Sequence, residues 1–258
     1  MMTQAQRRLY LIEALLKERG EDGLQIPCSE AEQAGLLRAL LNVRPPIPAS
    51  REFLQVQDEY LQELIRGLGV TDIDALEPVR DGIYLWQGDI TTLKVDAIVN
   101  AANSALLGCF HPLHGCIDNI IHSRSGVQLR LYCRELMDAQ GHEEPTGSAK
   151  ITPAFNLPCK YILHTVGPVI HGPVSERDCA LLASCYRSCL KLAAENGCRS
   201  IAFCCISTGE FRFPGERAAE TAVRTVRDFL RGGRGGMRVI FDVFKDKDFS
   251  IYKKLLGV

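Results

Sequence analysis

The chain lacks a long apolar run: no stretch approaches the ~18 consecutive apolar residues that a membrane-spanning helix needs, so no such helix is expected. Its first residues lack the basic, apolar and small-residue order of a secretory signal, which makes a cytoplasmic location the expectation. Neither sign of charge dominates. Thirty Lys and Arg stand against 31 Asp and Glu, a formal net charge of -1, and these totals provide neither a polycation for nucleic acid nor an acidic tail. No nucleic-acid or membrane partner is therefore expected. Internal repeats and low-complexity segments are also missing. "RGGRGG", residues 231–236, is too short for an RNA-binding tract and reads as a turn at a helix end.

What is present supports a globular protein. With 258 residues and 46% apolar content, the chain is long enough for a substantial core and for one or two domains. Its 11 cysteines are odd in number and spread along the chain without secretory signs, so a disulfide framework is not expected. Most of them read as reduced, small core residues.

Residues 1–80 read as successive helices. Leu9, Ile12, Leu15 and Leu16 recur at helical spacing before a stop at Gly20. A second helix starts at Ser29, and a third is capped by Ser50 and ends at Gly67 or Gly69. From Gly82 onward, β-branched and aromatic runs ("IYLWQ", "DAIVNA", "AKITPAF", "YILHTVG", "SIAFCCI", "RVIFDVF") alternate with helical stretches. Such alternation predicts an α/β domain over 81–258 with a mainly parallel or mixed sheet, preceded by the helical extension 1–80. Ligands of such sheets bind beyond the carboxyl ends of the strands, so the informative residues should follow strands.

Four motifs stand there: "GDITTLKVDAIVNAANS" after the first strand, "PTGSAKIT" and "HTVGP" in the middle, and "CISTGEFRFPGERAAE" after a later strand. Together they resemble the macrodomain family over about Gly82 to Leu256. The resemblance implies a three-layer α/β/α sandwich with a mixed central sheet that binds ADP-ribose. On that basis Asp89, followed by Ile90, would accept a hydrogen bond from the adenine amino group, although Asp89 also suits a turn or helix cap. Asn100 and Asn103 would border the distal ribose. Ser207, Thr208, Gly209 and Glu210 form a small-residue loop whose N–H groups can face phosphate ahead of a helix. Phe211 would pack near the distal ribose and Phe244 near adenine, where a strand-end Phe is otherwise a core residue.

Where many macrodomains carry a run of glycines, this chain has "GCFHPLHGCIDNIIHSRSG". That replacement, with the helical extension, resembles the zinc-containing microbial branch. The likeness implies that Cys109, His114 and Cys116 hold one zinc ion per chain. The donor chemistry agrees, since thiolate and imidazole are preferred zinc ligands, and three of them leave a fourth position for water, a ribose oxygen or His111. Asp118 resembles the aspartate beside the distal ribose and its attacking water, with a helix cap as its alternative role. With Asn103 it forms the expected catalytic pair, and His122 lies one helical turn beyond it. The expected reaction is zinc-dependent hydrolysis of mono-ADP-ribose from aspartyl or glutamyl side chains of a protein substrate. The alternatives are an ADP-ribose-binding reader and a deacetylase of O-acetyl-ADP-ribose. The resemblance also implies a sirtuin-type ADP-ribosyl transferase as partner.

Overall fold

The computed structural model describes residues 2–80, 82–232 and 236–258, so the centre of the "RGGRGG" turn lies outside the described residues. Three helices come first: α1 (Gln4–Glu18), α2 (Glu30–Val43) and α3 (Arg51–Leu68). Each starts where a hydroxyl side chain satisfies free backbone N–H groups, at Thr3, Ser29 and Ser50. Thr3 with Gln6 completes a capping box that the apolar spacing alone does not reveal. At the other end of α3 the chain turns on Gly69, at φ +87°. The apolar stripes of the three helices meet in a cluster of their own, built on Leu11, Ile12, Leu15, Leu37, Phe53 and Leu61.

The rest of the chain is built on a six-stranded sheet in the order β2-β8-β7-β4-β6-β5. Its members are β2 (Ile83–Gln87), β4 (Ala97–Ala102), β5 (Ala149–Pro153), β6 (Tyr161–Val166), β7 (Ser200–Phe203) and β8 (Arg238–Val243). Only β5 runs antiparallel, so the sheet is mixed as expected. Two short strands escape the pattern reading: β1 (Thr71–Asp72) and β3 (Leu93–Lys94) pair in parallel as a separate ribbon, each only one alternation long. Helices α4 (Ile117–Ser125) and α5 (Val127–Gln140) pack on β4 and β5. The second helical layer is α6 (Glu176–Glu195), α7 (Gly215–Arg231) and α8 (Asp246–Leu256). Among the described residues no helix is long and apolar enough to cross a membrane.

The central strands are almost wholly buried, with Ile98, Val99, Ile162, Leu163, Ile201 and Ile240 at 0% exposure. Buried cysteines fill gaps in this core: Cys133, Cys185 and Cys189 are also sealed from solvent, and all 11 are free thiols. Because five strands are parallel, their carboxyl ends share one edge. Asp89, Asn103, Gly167, Ser207 and Phe244 all emerge there.

Candidate metal centre and ligand cleft

The loop from Asn103 to Cys116 leaves β4 and turns back into α4 without regular structure. Its path depends on left-handed residues: Leu106 at φ +56°, Gly108 at φ +78° and Leu113 at φ +57°. Gly108 also lies against the His122 ring, where a Cβ would come within 2.8 Å of the Cγ and Cδ2 atoms, so only glycine fits. A hydrogen bond of 3.2 Å from the His114 N–H to the His111 carbonyl closes a tight turn. These features bring the Cys109 and Cys116 thiols and a His114 ring nitrogen within 4.8 Å of one another.

Cys109 Sγ and His114 Nδ1 are 3.5 Å apart. A sulfur and a nitrogen on one tetrahedral zinc would stand about 3.6 Å apart, so the spacing fits the metal. Burial, with Cys109 and Asp118 close by, pushes the Cys116 thiol up to about 12, although the Asn119 N–H opposes the rise. A divalent cation would reverse that penalty by stabilising the thiolates. On the far side of the ring, His114 Nε2 lies 3.6 Å from a Glu210 carboxylate oxygen. That is longer than a hydrogen bond, and the Glu210 side chain is 74% exposed, so the ring is not fixed from this side. His111 stands outside this group: it is exposed, with its ring centroid 5.4 Å from that of His114.

Asp118 follows two residues later and is 5% exposed. It is not the helix cap. Cys116 takes that position, its sulfur accepting from the Asn119 N–H at 3.4 Å, and this leaves the Asp118 carboxyl free for contacts beneath the loop. Asn100 donates to one oxygen at 2.8 Å and Asn103 to the other at 3.3 Å. Burial raises Asp118 to about 6, against the opposing effects of the Asn100 hydrogen bond and the Arg130 charge. His122 Nε2 lies 3.5 Å from Asp118 Oδ1 without forming a hydrogen bond. Burial holds the His122 ring well below its usual range, so it stays neutral.

Asn100 differs from its expected place at the ribose edge. It is fully buried, and its amide also contacts His164 Nδ1 at 3.1 Å, so it supports Asp118 from below and has no surface to offer a sugar. Asn103 is partly exposed and bridges two parts of the site, donating to the Gly108 carbonyl at 3.0 Å as well as to Asp118.

The loop after β7 carries the second group. Ser207 takes φ +65° and fits beside Gly167, where a Cβ would fall 2.0 Å from the Ser207 hydroxyl oxygen. Thr208 donates its hydroxyl to the Cys205 carbonyl at 2.9 Å. The Phe211 carbonyl accepts from the Ile170 N–H, joining this loop to the segment after β6. Among the described residues, the N–H groups of Gly209, Glu210 and Phe211 donate to no protein acceptor, which leaves them free for an anion. At the other end of the edge, Phe244 is 76% exposed and not a core residue. Ile90, after β2, is the reverse: the whole residue is only 1% exposed, so it offers a ligand almost no surface and departs from its expected place in the ligand site.

Asp89 is committed within the protein. It caps a short 3₁₀ turn, accepts from the Thr91 N–H and hydroxyl, and forms an ion pair with Arg124 of α4. Burial raises its carboxyl, but these bonds outweigh burial and hold it below the usual carboxylate range. An adenine amino group would share Asp89 with Arg124.

The Macro domain model matches residues 99–222. A Treponema medium protein named protein-ADP-ribose hydrolase is 60% identical over 261 residues, covering 99% of this chain and 100% of that protein. The chain belongs to the macrodomain family. A Staphylococcus aureus (strain MSSA476) protein with the same name is 53% identical to this macrodomain chain, covering 95% of this chain and 93% of its own. The crystal structure of a Trypanosoma brucei macrodomain in complex with ADP-ribose is 34% identical with a TM-score of 0.65, covering 85% of this chain and 95% of that one.

Several side chains around this macrodomain's site were not legible in its sequence. Arg38 and Asn42 of α2 and Asn119 of α4 all contact the Cys/His loop, and Arg124 meets Asp89. Their signal is weak because each partner lies 8 to 81 positions away or is a backbone atom. Only the i,i+4 spacing of Arg38 and Asn42 hints that they share a helix face.

Proposed function

We propose that the chain is a protein-ADP-ribose hydrolase that removes mono-ADP-ribose from aspartyl or glutamyl side chains, using zinc held by Cys109, His114 and Cys116. One observation carries this reading: the two thiols and the imidazole converge on the same strand-end edge as Asp118 and the 207–211 loop. The names of the relatives at 60% and 53% identity support the hydrolase class, and the ADP-ribose complex at 34% identity supports the ligand.

Each group then has a task. The free N–H groups of Gly209, Glu210 and Phe211, ahead of α7, hold the diphosphate. Exposed Phe244 packs on adenine, and Phe211 limits the ribose end. When bound, zinc supplies a Lewis-acid positive charge at the distal ribose. Asp118, held by Asn100 and Asn103, orients the attacking water and takes its proton. The water adds across the ester, its oxygen and one hydrogen completing the carboxylic acid or the ribose hydroxyl, and the second hydrogen completing the other product. Fixing substrate and water in one cleft supplies part of the rate. A sirtuin-type transferase as writer of the mark belongs to the same proposal and is supported by the likeness of "GCFHPLHGC" and the helical extension to the zinc-containing branch.

The test is release of ADP-ribose from an aspartyl- or glutamyl-modified protein by wild type, Asp118→Ala and Cys116→Ser, with bound zinc measured on the same samples. Wild type is expected to release it, Asp118→Ala to be slower by roughly 10²- to 10⁴-fold with zinc retained, and Cys116→Ser to lose both zinc and activity. Full release by zinc-free Cys116→Ser would remove the metal from the reaction. A wild type that binds ADP-ribose and releases nothing would make the protein a reader, and release only of acetate from O-acetyl-ADP-ribose would make it a deacetylase.

A further inference from the structure

The N-terminal helices place two polar side chains directly on the Cys/His loop. Arg38 and Asn42 lie one turn apart on α2. Arg38 Nη2 donates to the His114 carbonyl at 2.6 Å and to Asn119 Oδ1 at 2.9 Å. Asn42, only 1% exposed, accepts from the Leu113 N–H at 2.9 Å and donates to Ser123 Oγ at 2.8 Å. Asn119 completes the frame from beneath, its amide donating to the carbonyls of His111 at 2.9 Å and Cys109 at 3.3 Å.

This frame meets the loop where the loop is least able to hold itself. Leu113 is left-handed at φ +57°, a conformation that costs a branched side chain energy and persists only when its surroundings fix it. Its side chain is 51% exposed and cannot supply that support by burial. The next residue is the imidazole ligand. The Asn42 bond to Leu113 and the Arg38 bond to His114 therefore fix the backbone that aims His114 at Cys109.

We infer that Arg38 and Asn42 are positioning residues for the metal: α2 of the helical extension keeps the Cys109, His114 and Cys116 donors together, and metal retention depends on it. The inference rests on the proposed zinc reading. Neither residue has a hydrogen bond to the 207–211 loop, so its effect is carried by the metal loop.

The experiment uses the full, zinc-loaded chain and follows transfer of zinc to a chromogenic chelator alongside thermal melting. The variants are Asn42→Ala, Arg38→Met, Arg38→Lys and, as a control, Gln57→Ala. Gln57 is a buried residue of α3 that accepts from the Val127 N–H at 2.9 Å and ties the same helical unit to α5, away from the loop. Asn42→Ala and Arg38→Met are expected to release zinc roughly 10- to 100-fold faster than wild type, the loss of affinity usual when groups orienting metal ligands are removed being carried by the dissociation rate. Arg38→Lys should recover part of the loss by keeping one of two bonds, and Gln57→Ala should release zinc at the wild-type rate even where it melts lower. Wild-type release rates in both Asn42→Ala and Arg38→Met would overturn the inference, as would fast release from Gln57→Ala, which would make the effect general destabilisation. If Asn42→Ala does not fold, Arg38→Met decides. A wild type that takes up no zinc would defeat the zinc reading itself, whereas a zinc-binding wild type with insensitive variants would defeat only the role of α2.

Discussion

His164 shows how much of the site's order lies below the surface. It is fully buried between Asn100, at 3.1 Å from Nδ1, and Thr152, at 3.0 Å from Nε2, and burial lowers it to about 3. Because the folded ring stays neutral while the unfolded ring protonates near its ordinary value of 6.5, the unfolded chain binds more protons between about pH 6.5 and about 3. The contribution of His164 is thus fully present above that window and is lost as the pH falls through it. Asp118 acts in the opposite sense between about pH 6 and its ordinary value of 3.8, since its folded carboxyl is raised to about 6, and neutral His122 acts in the same sense as His164. The comparison of wild type with His164→Gln isolates one ring from these neighbours. Denaturant unfolding from pH 7 to 4 is expected to show wild type losing stability faster by about 1.4 kcal/mol per pH unit once below pH 6. Parallel curves would show that the ring takes up its proton without leaving the core.

At the scale of elements, the question is whether the three N-terminal helices are a separate body. They have their own apolar cluster, yet polar bonds cross to the sheet domain from two of them: Asn42 to Ser123, Gln57 to Val127 and Gln62 to Asn156. Ile65 of α3 already belongs to the main core. The chain has one tryptophan, Trp86 on β2, so its fluorescence reports the sheet while far-ultraviolet circular dichroism is dominated by helices. The two melting curves are expected to coincide, as one cooperative unit requires. An early loss of helical signal with Trp86 unchanged would mean that the extension unfolds by itself. The elements were legible because their periods were regular: α1, α2 and α3 show helical stripes and caps, and β2, β4, β6, β7 and β8 are β-branched or aromatic runs. The β1 and β3 ribbon was hidden because two residues carry no period.

Over the whole molecule, the parallel strands gather distant residues onto one edge, and this is why some of the site could be read before its geometry. The Cys/His loop and the 207–211 loop stood out through position after strands, while the choice of Cys109, His114 and Cys116 within the former came from the resemblance to the zinc-containing branch. Residues acting through the third dimension did not: Arg38 reaches His114 across 76 positions, and Asn100 looked like a sugar contact although it is a buried support for Asp118. Glu210 was expected at the ligand and also stands 3.6 Å from His114, where the 207–211 loop approaches the Cys/His loop. The account as a whole depends on a cation at that junction. The most direct test is anomalous diffraction at the zinc edge from crystals of the full chain grown with zinc and ADP-ribose. The expected result is one peak bounded by the two sulfurs of Cys109 and Cys116 and a nitrogen of His114, facing the distal ribose. A peak elsewhere, or none beside a well-ordered nucleotide, would contradict it.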